Sequence, residues 1–344
     1  MGALSSQMRP DLLYVSSFFL ALAAMGCSKS TIALHAPNCP PSQARTDATR
    51  VEIEPISIVG DAHPEVPGDW KFAPPGPAHV LTGGMSTELL ARALEGGEQG
   101  GYVAHCRLDR FAMRTKTETT IGRTLASLYV DLACDVNRKA DKAIVWRGAL
   151  RGRGISAADS SVFLNDDQML QSLADRLMSD VSRELASDLA VRVLALKTKS
   201  SGRVFANEAA EREGAGINDT AMGGAALSES QESAKAASSS LRDPDPMVRA
   251  AAWNVIAMAS APDEEWVGGI DDRIDDDAFV RFYQYKAFAR HGSRATLSAL
   301  RRALRAEPQP LLEEFLKDIL SGEGLVVRGG RKANAETNGT TTSP

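Results

Sequence analysis

The sequence predicts an α+β domain, an antiparallel sheet packed by a long helix, followed by a short α-solenoid of helix pairs. Three observations predict it. Three segments within 104–151 alternate apolar and polar residues, residues 167–194 carry apolar side chains at steps of three and four, and a pattern beginning at Asp245 returns at an interval of 32. Period two buries one face of a strand and wets the other, whereas steps of three and four lay an apolar stripe along a helix.

The chain opens with an apolar run at 12–24, thirteen residues long and ending in Ala24-Met25-Gly26-Cys27. A membrane span needs about 20 residues, but the apolar region of a signal peptide needs only roughly 7–15. The small residues allow an extended backbone at a cleavage point, and the cysteine after them offers a thiol. Residues 27–50 carry Pro37, Pro40 and Pro41 with little periodicity and read as a tether. The segment 51–59 alternates imperfectly around Pro55, as an edge strand does. Met85, Leu89, Leu90, Ala93 and Leu94 share one face of a short helix that Gly96-Gly97 would stop.

The alternating segments place Ala104, Cys106 and Leu108 on one face, then Leu128, Val130, Leu132, Cys134 and Val136, then Ile144, Trp146, Gly148 and Leu150. The short turn at 137–142 predicts a hairpin between the last two. Leu170, Leu173, Leu177, Val181, Leu185, Leu189 and Val193 form the stripe of the long helix, which can cover the apolar face of the sheet. Residues 51–196 thus make the α+β domain. The stretch 197–227 is rich in Gly, Ala, Ser and Glu and reads as a flexible linker between separate cores.

In 228–322 the run Asp245-Pro246-Met247-Val248-Arg249 returns as Asp277-Ala278-Phe279-Val280-Arg281 and, more loosely, as Gln309-Pro310-Leu311-Leu312-Glu313. Val248, Ala251, Val255 and Ile256 match Val280, Tyr283, Ala287 and Phe288, and these match Leu312, Phe315, Ile319 and Leu320. Asp245 and Asp277 suit the caps of helix starts, and Pro246 and Pro310 the first helical position. Partner helices are expected near 264–274 and 295–305. The helix that would precede the first copy is weak, because Ser238 to Ser240 offer little to bury, so that end is expected to lean on the α+β domain or on another protein. Residues 323–344 read as a disordered tail.

Three resemblances follow from these residues. Ala24-Met25-Gly26-Cys27 resembles the lipobox of bacterial lipoproteins, which implies a signal peptide over 1–26, lipidation of Cys27 and a place in the cell envelope. Ser28 and Lys29 after it, with no aspartate, imply the outer membrane, facing the periplasm. The 32-residue unit resembles HEAT-type repeats, whose second helix often opens with Asp-Pro-x-Val-Arg. The resemblance implies an α-solenoid used as a protein-binding surface. The middle segment, with Val145-Trp146-Arg147-Gly148 before a long helix, is faintly similar to envelope lipoproteins of the curli-secretion and penicillin-binding-protein-activator type.

Composition narrows the function classes. A net charge of -5 gives no basic face for nucleic acid. The four cysteines are too few for a disulfide-dense scaffold, and none forms Cys-x-x-Cys. His35, His63, His79, His105 and His291 show no metal-ligand spacing. No cofactor or metal is expected. Gly152-Arg153-Gly154-Ile155-Ser156-Ala157 formally fits a dinucleotide fingerprint, but no amphipathic helix follows it, and a glycine-rich strand is the better reading. The cluster Asp271, Asp272, Asp275, Asp276 and Asp277 lacks the order of a calcium loop and reads as a solvated turn with a helix cap.

Cys106 and Cys134 fall on the apolar phase of adjacent strands, as a disulfide or as two buried thiols. Arg249 and Arg281 hold equivalent places in successive repeats. With Trp253 and Tyr285 they form a candidate partner surface; the alternative for the arginines is pairing with Asp243, Asp245 or Asp277. The expected function is a lipid-anchored scaffold or adaptor with a protein partner, not an enzyme. The alternatives are a regulator of a cell-wall or secretion enzyme acting through the α+β domain, or an enzyme without a recognisable motif.

Overall fold

The computed structural model describes residues 31–35, 49–58, 64–68, 70–91, 94–95, 101–118, 123–159, 165–194, 196–198, 234, 237–258, 274–321 and 328–329. They form a mixed α/β chain. Short strands β1 (Thr31–Ile32), β2 (Val51–Ile53), β3 (Ser57–Ile58) and β4 (Lys71–Phe72), helix α1 (Pro77–Ala91) and strand β5 (Leu94–Glu95) come first. Three long strands follow, β6 (Tyr102–Glu118), β7 (Arg123–Arg138) and β8 (Ile144–Asp159), then α2 (Asp166–Ser187), prolonged by a π-helical turn over Asp188–Val193, and β9 (Lys197–Thr198). The C-terminal part holds α3 (Pro246–Met258), α4 (Ala278–His291), α5 (Arg294–Leu304), α6 (Pro310–Ser321) and β10 (Arg328–Gly329).

The frame is an antiparallel meander. The main sheet runs β10-β8-β7-β6-β2, with β3 also on β6, and both β2 and β3 lie parallel to β6. The hairpin expected across 137–142 joins β7 to β8. A bulge sets the faces. Leu108 pairs with Leu132, but Arg110 pairs with Asp131, so Asp109 is the extra residue. Before the bulge even-numbered residues of β6 join the first core; after it Phe111 and Met113 do.

Helices α1 and α2 cover that first face. The stripe Leu170, Leu173, Leu177, Val181, Leu185 and Leu189 is buried against it, as the spacing predicts. Helix α2 starts where Asn165 accepts the Gln168 N–H at 2.9 Å, and Asp166 and Asp167 in its first turn suit the positive end of the helix dipole. Two glycines of β8 let the helix lie close. A Cβ on Gly152 would stand 2.5 Å from Val181 Cγ1, and one on Gly154 would stand 3.1 Å from Leu177 Cδ2. These glycines serve helix–strand packing, which accounts for the fingerprint-like run without a phosphate. Helix α1 starts at Pro77, upstream of the expected stripe, because Ala78, Val80 and Leu81 are buried too.

The other face of the sheet is only partly covered. Ala112, Tyr129 and Ile155 belong to the apolar cluster of the C-terminal helices, in which Ile256, Val280, Ala287, Phe315 and Ile319 are buried. Helix α4 lies innermost, with every residue from Phe279 to Arg290 buried. The sheet thus contributes to two cores, which the composition of 197–227 gave no reason to expect. The sequence places a lean on the α+β domain at the first repeat's end; the bonds to the domain come instead from α4 and α6. The linker beyond Thr198, the partner helix expected near 264–274 except Ile274, and nearly all of the tail lie outside the described residues.

Candidate functional site

The C-terminal helices share a repeated set of polar bonds. Helices α3, α4 and α6 begin at Pro246, Ala278 and Pro310, an interval of 32 each time. Arg249 donates from Nε and Nη2 to the Asp275 carboxylate at 2.7 and 2.9 Å, and from Nη1 to the Asp243 carbonyl at 2.8 Å. Arg281 repeats this one unit later, donating to Glu307 at 3.1 and 2.9 Å and to the Asp275 and Asp276 carbonyls at 3.2 and 2.7 Å. Asp243, Asp275 and Glu307 each also accept the N–H two residues on, at 2.9, 2.9 and 3.0 Å. Asp245, Asp277 and Gln309 then accept the N–H groups of Met247, Phe279 and Leu311 and cap the three helices. Glu313 stands where a third arginine would be, and it pairs with Lys317.

This arrangement corrects the expected partner surface. Trp253 is 4% exposed and meets Phe288 edge to face at 5.4 Å, while Tyr285 is 1% exposed and donates to Glu307 at 2.7 Å. Burial raises the Tyr285 pKa, and Glu307 raises it further, so the hydroxyl stays protonated. Arg249 and Arg281 bind carboxylates, but of Asp275 and Glu307 rather than those of Asp243, Asp245 or Asp277. The sequence reading looked within the adjacent turn, whereas each arginine reaches into the next unit. Arg249 and Arg281 are rungs between units, and Trp253 and Tyr285 are buried within the stack. Asp275 and Asp277 of the acidic cluster are both engaged here; Asp271 and Asp272 lie outside the described residues.

A second polar arrangement joins the two parts of the chain. Glu184 on α2 and Asp188, at the start of its π-helical extension, face Lys286 and Arg290 on α4. Arg290 Nη1 donates to Glu184 Oε1 at 2.5 Å and to Asp188 Oδ2 at 3.1 Å, and Nη2 donates to Asp188 Oδ1 at 2.5 Å. Lys286 Nζ lies 3.0 Å from Glu184 Oε2 and donates to the Arg153 carbonyl at 2.8 Å. Glu184 Oε2 accepts the Arg153 N–H at 3.0 Å. Both backbone groups of Arg153 are therefore bonded to side chains rather than to β7. All four charged side chains are nearly inaccessible, at 4% exposure or less. Burial alone would raise the Glu184 pKa, but the charges of Lys286 and Arg290 outweigh it and hold the carboxyl below its usual range.

The Arg153 side chain points to the opposite face. Its guanidinium reaches Asp318 on α6 at 2.8 Å, Asp131 on β7 at 2.7 Å and the Val130 carbonyl at 2.8 Å. Asp318 also accepts from Arg110 at 2.6 Å. Against the pull of burial, the Arg153 and Arg110 charges hold the Asp318 pKa down. The Tyr129 ring lies between these cations, 4.9 Å from the Arg110 guanidinium and 5.2 Å from that of Arg153. Burial pushes the Tyr129 pKa up to about 12, with Glu314 and Asp318 adding to it. Beyond this, Arg114 pairs with Glu314 at 2.7 Å. Chemically the seam is a clamp in which each of these buried charges faces an opposite one.

Sequence reasoning missed these residues. A signal exists: Leu177, Val181, Glu184 and Asp188 follow one another at steps of four, three and four, so both acids sit on the apolar stripe of α2. The matching cations, Lys286 and Arg290, are also four apart.

Cys27, the predicted lipidation site, lies outside the described residues. Cys106 and Cys134 face each other in the β6–β7 register and form a disulfide, with Cα atoms 4.1 Å apart. His105 bonds Glu54 on the open half of the sheet at 2.9 Å, and His35 bonds Asp175 at 3.0 Å. Among the described residues no group of three His, Cys, Asp or Glu side chains is placed to hold a metal ion, and no helix is long and apolar enough to cross a membrane.

No family model matches the chain, and no curated protein does. Among solved structures it is similar to a minor lipoprotein from Acinetobacter baumannii, at 12% identity, over 50% of this chain and 96% of that one, with a TM-score of 0.23. A likeness at that score carries no argument about fold or function, so the site is interpreted from its own geometry.

Proposed function

We propose that the mature chain is a lipid-anchored cell-envelope protein, held through Cys27 and acting as a scaffold that binds another protein through a short α-solenoid of HEAT-like helix pairs. The membrane is the outer one, and the body faces the periplasm. The observation that carries this reading is the recurrence, at an interval of 32, of helix starts, caps and arginine–carboxylate rungs. A repeated unit cannot bury its apolar face alone, so stacking of such units builds a continuous core with outer faces free for recognition. The clamp of buried charge supports a rigid body rather than a working cleft. The anchor is supported by the thirteen-residue apolar run ending in Ala24-Met25-Gly26-Cys27.

The test is metabolic acyl labelling of wild type and Cys27→Ala, followed by cross-linking in intact envelopes. Wild type should be labelled, cleaved and membrane-bound, with a discrete cross-linked partner; Cys27→Ala should lose label and cleavage together. Soluble, unlabelled wild-type protein would overturn the anchor.

A further inference from the structure

We infer that the outer face of α5 docks on anionic lipid headgroups, the phosphate-bearing surface of the membrane to which Cys27 would tether the chain. The inference rests on that tether reading for its choice of occupant, and on the charge of α5 for its surface. Residues 278–306 contain no Asp or Glu, yet they carry Arg281, Lys286, Arg290, Arg294, Arg301, Arg302 and Arg305. The first three are buried and answered from elsewhere in the chain, by Glu307, Glu184 and Asp188.

Arg294, Arg301 and Arg305 are exposed, and among the described residues no ion pair or side-chain hydrogen bond engages them. Their spacings of seven and four put them on one side of the helix, with exposed Arg302 alongside. At 1.5 Å per residue the row is about 16 Å long. It stands out in a chain whose net charge is -5.

The residues between the arginines decide the occupant. Ala295 and Ser298 are exposed on this face, and among the described residues of α5 no exposed aromatic or large aliphatic side chain joins them. A protein partner would need a desolvated apolar anchor at the centre of the contact, and this face lacks one. It also lacks a wedge to insert among acyl chains. What remains is a row of planar guanidinium groups, which match phosphate oxygens in pairs and are attracted by a flat negative surface. Each basic residue held near an anionic leaflet strengthens binding roughly fivefold, so three give about a hundredfold.

The experiment uses the full chain carrying Cys27→Ala, so that acylation plays no part, with and without Arg294→Gln, Arg301→Gln and Arg305→Gln together. Binding is read by flotation with phosphatidylcholine vesicles, alone or containing about a third phosphatidylglycerol. The signal segment is common to both proteins and cancels in the comparison. The parent should bind phosphatidylglycerol vesicles about a hundredfold more tightly than the triple variant; the difference should shrink as salt rises and vanish on phosphatidylcholine. Equal binding by the two proteins would overturn the inference. So would arginine-dependent binding to polyglutamate without any phosphatidylglycerol preference, which would point to an acidic protein instead. A lower melting temperature of the triple variant would show the arginines pairing within the chain, and would also overturn it. The tether reading fails separately, through the missing acyl label on wild type.

Discussion

The two faces of the sheet are held by different physics. On one, the apolar residues of β6, β7 and β8 meet the stripe of α2, and the attraction is non-directional burial. On the other, Ala112, Tyr129 and Ile155 give a small apolar contact, and Arg110 and Arg153 of the sheet bond Asp318 of α6 across it, while Glu184 and Asp188 hold α4 past the sheet's edge. Apolar burial tolerates a small shift of its partners, but a buried ion pair does not. Desolvating the charges is repaid only while each keeps its partner. The first face therefore builds the domain, and the second fixes how the C-terminal helices sit on it.

The sharpest way to break that contrast is Glu184→Ala. It leaves Lys286 and Arg290 buried with Asp188 as their remaining carboxylate, and should cost about 3–5 kcal/mol. The loss should fall on the attachment of α4: hydrogen exchange should rise in α3, α4 and α6 while the centre of β7 stays protected. Equal loss of protection in β7 would mean that the two faces form one cooperative unit.

Acid should act on the same face and more gradually. The folded-state pKa values of Glu184 and Asp318 are depressed, so their stabilisation is complete above the ordinary carboxylate range near pH 4 and is lost as pH falls through their lower folded values. The C-terminal helices should loosen below about pH 4, ahead of the α2-covered face, whose apolar contacts do not titrate. Tryptophan fluorescence checks this, because Trp253 lies in the C-terminal core and Trp146 in the other. Coincident transitions would remove the distinction.

The smallest expected effect tests the apolar face. Gly152→Ala places a methyl group against Val181, a β-branched side chain with little room to turn, so α2 must move. Overpacking of this kind costs about 1–3 kcal/mol. Denaturant unfolding of the variant should show that loss. A neutral result would mean that the helix gives way freely.

What the sequence disclosed divides along the same line. The strands with unbroken alternation, the stripe of α2 and the starts of α3, α4 and α6 were legible, because periodicity is a local property. The second half of β6 was not. The bulge at Asp109 reverses its phase, so the positions facing the first core change from even to odd numbers, to Phe111 and Met113. The facing pair Cys106 and Cys134 was legible as a position but not as a bond, since alternation sets the face of a strand and not its oxidation. The rungs at Arg249 and Arg281 were legible as equivalent positions, but their distant acceptors were not. Glu184, Arg153 and Arg290 were missed for the same reason: a charge in a sequence does not name the group that will neutralise it, and here the partners lie 31 to 165 positions away.

The bonds at Arg153 also bear on how the folded protein meets copies of itself. A strand at the rim of a sheet is a template, and an extended segment from another molecule can zip onto its row of free amides and carbonyls. On β8 that row is interrupted, because Glu184 takes the amide of Arg153, Lys286 takes its carbonyl, and β10 occupies Ala149 and Gly148 further along. An incoming strand would have to displace a buried carboxylate and ammonium to pass. The same clamp that seats the C-terminal helices thereby guards the rim against runaway strand addition, the first step toward amyloid.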